Sequence, residues 1–125
     1  MSVVLDTHTV LWYLENSREL SSVARTTIED AVRNTGQAYV SAILVERQKL
    51  PLAALQRLQV ALIDPSAGLF VAPVDADVAS ALQNIHRSGV PDMPDRIIAA
   101  TALHLGLPLI TRDRRLQSAG IKTVW

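Results

Sequence analysis

Short runs of apolar residues alternate with longer amphipathic segments along this chain. The apolar runs contain few polar positions, which is typical of strands that are covered on both faces in a parallel sheet. They predict five strands, at Ser2–Asp6, Ala38–Ala42, Leu69–Val74, Leu107–Thr111 and Ile121–Val124. The sheet is therefore expected to be buried between layers of helices.

The segments between these runs predict helices at Thr7–Glu15, Ser22–Asn34, Pro51–Ile63, Asp75–His86 and Pro94–Leu105. Ser21 and Asp75 suit helix N-caps, and Gly106 suits a helix C-terminus. Alternation of strands with helices predicts an α/β fold, a three-layer sandwich around a central, mainly parallel sheet of about five strands. Residues 1–125 are expected to form a single domain.

Composition narrows the classes of protein and of site. A hydrophobic content of 49% argues against disorder, and the absence of cysteine excludes disulfides and thiolate metal sites. No apolar run is long enough for a membrane span, and Asp6 interrupts the first run too early for a signal peptide. A cytoplasmic protein is expected. The formal net charge of zero gives no broad basic field for nucleic acid.

Three aspartates lie where the predicted strands and helices meet. Asp6 ends the first strand, Asp113 follows the fourth, and Asp95 lies in the first turn of the helix that leads back to that fourth strand. In an open parallel sheet, ligands bind in the crevice at the carboxyl ends of the strands. We expect all three carboxylates to converge there and to hold a hard cation such as Mg²⁺ or Mn²⁺.

Each aspartate also has a purely structural interpretation. Asp6 could cap the helix that starts at Thr7, Asp92 could cap the helix that contains Asp95, and Asp113 could start a short helix. Nearby arginines suit phosphate recognition but could equally form a solvated surface: Arg96, Arg112, Arg114 and Arg115. A phosphoacceptor receiver domain is disfavoured, because it would need an acidic pair where Asp6 stands alone.

Four segments carry a more specific signal: Val4–His8, Val40–Ile43, Pro94–Ala102 and Leu109–Asp113. In order and separation they resemble the PIN domain and, more closely, the VapC-type toxins of bacterial toxin–antitoxin pairs. The resemblance implies a Mg²⁺- or Mn²⁺-dependent endoribonuclease that hydrolyses RNA, forms a homodimer and is neutralised by a cognate antitoxin. It makes Asp6, Asp95 and Asp113 the metal ligands. Thr111 joins them as a catalytic residue, and Thr7 matches a further supporting hydroxyl.

One departure from that family lies between Ser41 and Pro51. The family has a glutamate early in the helix after the second strand, but Glu46 follows Ser41 one residue too soon. We therefore expect a shortened segment and a Glu46 carboxylate that does not reach the site. This keeps open a second function, a catalytically impaired PIN module that retains the fold and the dimer and antitoxin surfaces.

The first predicted helix, Thr7–Glu15, is apolar on every side. Such a helix is usually buried on more than one side. Burial within the monomer and burial against a second chain both explain this. We expect Trp12 or Tyr13 to contribute to a protein–protein surface.

Overall fold

A five-stranded parallel sheet organises the fold. The computed structural model describes residues 1–34, 36–46 and 50–125, apart from the side chain of Glu46. The strands are β1 (Val3–Leu5), β2 (Ala38–Ser41), β3 (Leu69–Ala72), β4 (Leu109–Ile110) and β5 (Thr123–Val124). They lie in the order β3-β2-β1-β4-β5, and every neighbouring pair is parallel. All five predicted strands are confirmed, and each is shorter than predicted at one or both ends.

Helices connect the strands: α1 (Thr7–Leu14), α2 (Ser22–Arg33), α3 (Ala42–Glu46), α4 (Leu52–Ile63), α5 (Ala76–Leu82), α6 (Met93–Leu105) and α7 (Arg114–Gln117). A 3₁₀ turn at Pro65–Ala67 precedes β3. The general right-handedness of such crossovers predicts α1, α2 and α4 on one face of the sheet and α5 and α6 on the other. Accordingly α1 packs on α4 and α5 packs on α6, which gives the predicted three layers. None of the described helices has both the length and the apolar character needed to cross a membrane.

Strand position explains the burial of the apolar runs. Val3, Val4 and Leu5 of the central strand β1 are fully buried, because strands flank them on both sides and helices cover both faces. Phe70 and Val71 of the edge strand β3 remain 40% and 42% exposed. The core is therefore centred on β1 and its neighbours.

The predicted helix ends at Ser21, Asp75 and Gly106 are confirmed. The Ser21 hydroxyl accepts a hydrogen bond from the Ala24 amide at 3.0 Å, and the Asp75 carboxylate accepts one from the Val78 amide at 3.0 Å. Gly106 ends α6 in the left-handed region, at φ 66°. Local capping interactions thus set three helix boundaries, and the packing of the layers depends on where these helices begin and end.

Helix α5 ends at Leu82, so its predicted extension to His86 is wrong. Beyond Leu82 the backbone tightens into turns, and the Ile85 amide donates to the Leu82 carbonyl at 3.1 Å. Arg96 of α6 donates to the Ile85 carbonyl from Nε at 3.1 Å and from Nη2 at 3.0 Å. Arginine side chains can satisfy the last carbonyls of a helix in this way.

The hydrogen bonds of Arg96 also correct its suggested role in phosphate recognition. Its side chain is buried, and its guanidinium donates to the backbone carbonyls of Leu82, the last residue of α5, and of Ile85 just beyond it. It therefore fastens α6 to the end of α5. Helix α3 was not predicted, because it is too short to produce a helical period.

The aromatic residues of α1 are half-buried at the border of the core. Burial raises the pKa of Tyr13, and the negative charge of the Glu29 carboxylate raises this pKa further. Trp12 contacts the rings of His8 and Trp125. The predicted protein–protein surface on α1 stays a prediction.

We expect Arg96→Met to lower the free energy of unfolding by about 2 kcal/mol, because buried carbonyls lose a charged donor while the apolar stem is kept. Arg87→Met is the control, since Arg87 is exposed, and it should change stability by less than about 0.5 kcal/mol. Urea unfolding followed by circular dichroism measures both. Equal stabilities of the two variants would contradict a structural role for Arg96.

Candidate metal centre

The candidate site lies where the chain reverses its direction of travel across the sheet. From β1 the chain adds β2 and β3 on one side, then returns to add β4 and β5 on the other. Asp6 directly follows β1 and Thr111 directly follows β4, and the Asp6 amide donates to the Ile110 carbonyl at 3.4 Å. Such a reversal leaves a crevice at the carboxyl edge of the sheet.

Asp6 is held in this crevice through both carboxylate oxygens. Oδ1 accepts a hydrogen bond from the Thr9 amide at 2.9 Å, which caps α1, and Oδ2 accepts one from the Thr111 hydroxyl. The side chain is only 5% exposed. Both bonds fix the orientation of the carboxylate before any ligand binds.

Thr111 ties the ends of two elements together. Its buried hydroxyl donates to Asp6 and accepts a hydrogen bond from the Asp113 amide at 3.0 Å. Thr9 makes a similar tie, since its hydroxyl donates to the Ile110 carbonyl at 2.8 Å. A single network therefore links β1, α1, β4 and the start of α7.

All three predicted aspartates line one cavity of about 330 Å³. Asp113 caps α7 by accepting from the Arg115 amide at 2.8 Å, and Asp92 caps α6 by accepting from the Asp95 amide at 3.1 Å. The cavity is completed by residues from the starts of α1 and α6: Thr7, His8, Asp92 and Pro94. The structural interpretation and the predicted convergence are therefore both correct, and the role of these aspartates as metal ligands stays a prediction.

Sequence reasoning missed two residues of this region. Thr9 follows Asp6 by three positions, which is the spacing of an N-cap and its amide partner, so the sequence contained a signal for this contact. His8 lies within a segment that carries the family resemblance, but no role was assigned to it. It is exposed and lines the cavity.

The expectation for Glu46 falls outside the described residues, because only its backbone is described. That backbone belongs to α3, which starts directly after β2. Whether the carboxylate reaches Asp6 therefore stays a prediction.

The donors in the cavity suit a hard cation. Four aspartates offer carboxylate oxygens, His8 adds a ring nitrogen, and the chain has no cysteine to offer sulfur. Among the described residues, the donors to the Asp6 carboxylate are neutral, an amide and a hydroxyl. Clustered carboxylates repel one another unless a cation neutralises them, so Mg²⁺ or Mn²⁺ fits this arrangement.

A second acidic group lies elsewhere on the described surface. Asp75, Asp77 and His104 have ligand atoms that all lie within 4.8 Å of one another, and all three residues are exposed. Water solvates exposed charges at little cost, so this group needs no ion to be stable. It nevertheless provides a direct comparison for the cavity of Asp6.

Comparisons of sequence identify relatives along nearly the whole chain. Residues 3–122 match the PIN domain family. The ribonuclease VapC22 of Mycobacterium tuberculosis is 34% identical over 122 residues, which cover 94% of this chain and 91% of that protein.

Solved structures show the same fold. VapBC2 from Rickettsia felis, bound to a promoter DNA fragment, has a TM-score of 0.71 at 14% identity and covers 99% of this chain and 98% of that one. DNA-bound VapBC from Salmonella typhimurium has a TM-score of 0.68 at 24% identity and covers 99% and 97%. This coverage gives no support to a shortened segment between Ser41 and Pro51, and it does not favour a catalytically impaired module.

We expect Asp6→Asn to weaken Mn²⁺ binding by more than about tenfold, because ligand charge sets the affinity for hard cations. Asp75→Asn is the matched control, since it makes the same change at another helix N-cap, in the exposed acidic group. Electron paramagnetic resonance of free Mn²⁺ during a titration measures both affinities. Loss of binding in Asp75→Asn with Asp6→Asn unchanged would move the site to the exposed group.

Proposed function

This chain belongs to the PIN domain family and is of the VapC type, and we propose that it is a Mg²⁺- or Mn²⁺-dependent endoribonuclease toxin. Its substrate is an RNA phosphodiester bond. The observation that carries the proposal is the cavity at the carboxyl edge of the sheet, which Asp6, Asp95 and Asp113 all line.

The metal would be held by Asp6, Asp95 and Asp113, and when bound it would neutralise charge on the scissile phosphate and supply an activated water. The chain itself supplies orientation. Asp6 is held by the Thr9 amide and by the Thr111 hydroxyl, so its carboxylate has little freedom to rotate. Helices α1 and α6 begin at the cavity, and helix N-termini favour anionic groups such as phosphate.

We further propose that a cognate antitoxin neutralises the activity and that the toxin is a homodimer in the cytoplasm, where its RNA lies. The solved relatives from Rickettsia felis and Salmonella typhimurium are VapBC assemblies, which supports a protein partner of this kind. The half-buried aromatic residues of α1 support a further protein contact, because one sheet face does not cover them fully.

The purified protein is expected to cleave single-stranded RNA with Mg²⁺ or Mn²⁺ and to lose this activity in EDTA. Asp6→Asn should lower the rate by at least about a hundredfold without unfolding the domain, because asparagine still caps α1 but lacks the ligand charge. Asp75→Asn should cleave at the parent rate. Retained cleavage in Asp6→Asn would leave Asp6 with its capping role alone.

Glu46→Gln tests whether a fourth carboxylate takes part. If Glu46 does not reach the cavity, the rate of RNA cleavage should equal that of the parent at every metal concentration. A collapse in rate, with an unchanged circular dichroism spectrum, would show that Glu46 is a ligand. If only three carboxylates hold the ion, RNA cleavage should require about millimolar Mg²⁺ or Mn²⁺.

A further inference from the structure

A cluster of rings and one guanidinium lies beside the acidic cavity. The His8 and Trp12 ring centroids are 5.4 Å apart, and those of Trp12 and Trp125 are 5.8 Å apart. The Arg112 guanidinium lies over the Trp12 ring, with Cζ 4.5 Å from the ring centroid. This stacking cluster, His8, Trp12, Arg112 and Trp125, joins α1, the residues after β4 and the end of β5.

Three members of the stacking cluster, His8, Trp12 and Arg112, line a second cavity beside the acidic one. This neighbouring cavity, about 220 Å³, is lined by Asp6, His8, Trp12, Arg112 and Asp113. Three of these residues, Asp6, His8 and Asp113, also line the acidic cavity. A molecule held at the aspartates can therefore extend directly onto Arg112 and the rings.

The ion pair of Arg112 contributes little to stability. It pairs with Glu19 at 2.8 Å, but the two side chains are 53% and 58% exposed, and such pairs contribute about 0–1 kcal/mol. Arg114 and Arg115 follow in the same loop and first turn, are exposed, and line neither cavity. Arg112 alone of these three is both stacked on an aromatic ring and directed to the site.

The chemistry of this cluster matches one unstacked nucleotide. Aromatic rings and the flat face of a guanidinium stack with bases of any sequence, and an arginine fork binds phosphate. A neighbouring anion such as phosphate can replace Glu19 at little cost, because that ion pair is exposed. Bases within a duplex are already stacked on one another, so only a single strand offers a free base.

We propose that the stacking cluster binds the nucleotide next to the scissile phosphate of single-stranded RNA, with its base against His8 and Trp12 and its phosphate on Arg112. This inference rests on the proposed ribonuclease function and identifies residues that bind its substrate. It assigns Arg112 as a substrate-binding residue and Glu19 as a competitor for the same guanidinium.

The kinetic test uses the full chain and a single-stranded RNA. Arg112→Met should raise KM by about tenfold, the scale of one lost charge-assisted hydrogen bond, with a smaller change in kcat. Arg112→Lys should restore the charge but only part of the affinity, because it lacks the planar fork. Arg114→Met is the matched control and should keep the parent KM. Glu19→Gln should lower KM.

Tryptophan fluorescence tests binding without turnover. The chain has two tryptophans, and both belong to the stacking cluster. Adenosine monophosphate should quench their emission in the presence of Mg²⁺, whereas ribose 5-phosphate, which has no base, should quench it far less. Arg112→Met should need about tenfold more nucleotide for the same quenching.

The outcomes separate this inference from the proposed function. If the parent cleaves RNA and Arg112→Met behaves like Arg114→Met in KM and in quenching, the stacking cluster is not the nucleotide site, and the ribonuclease function stands. If nucleotide quenching depends on Arg112 but no RNA is cleaved, the ribonuclease function fails. Equal cleavage of single-stranded RNA and of the same RNA in a duplex would also overturn the inference.

Discussion

Strand β1 runs through the middle of the sheet and pairs in parallel with β2 on one side and β4 on the other. This pairing is possible because the chain places β2 and β3 on one side of β1 and crosses to the other side only after β3. The carboxyl ends of β1 and β4 are thereby brought together with no strand between them. Asp6, Thr111 and Asp113 owe their proximity to that one ladder, and the whole site depends on it.

The capping and ligand roles of the aspartates are not alternatives. One oxygen of Asp6 accepts from the first turn of α1, while the other accepts from Thr111, so the cap itself aims the carboxylate. Asp92 and Asp113 likewise begin α6 and α7 at the same cavity. Carboxylates stabilise helix N-termini by capping them. A sheet that places several helix N-termini at one edge therefore also places several negative charges there. The substitution of an aspartate by asparagine separates the two roles.

Much of the fold and of the candidate site was predictable, because its signals are local. Continuous apolar runs fixed the strands, and the aspartates that follow strands or begin helices were placed from element order alone. Two of the failures depend on tertiary contacts. The end of α5 depends on Arg96, which lies eleven positions beyond the carbonyl it binds. The stacking of Arg112 on Trp12 joins two distant segments, so neither residue carries a local sign of it.

The hydrogen bond between Asp6 and Thr111 spans 105 positions of the chain. During synthesis the amino-terminal part leaves the ribosome first, so β1 emerges long before β4 exists. Until then the first aspartate has neither its hydroxyl partner nor its neighbouring carboxylates. The proposed metal site therefore cannot form before β4 has been synthesised.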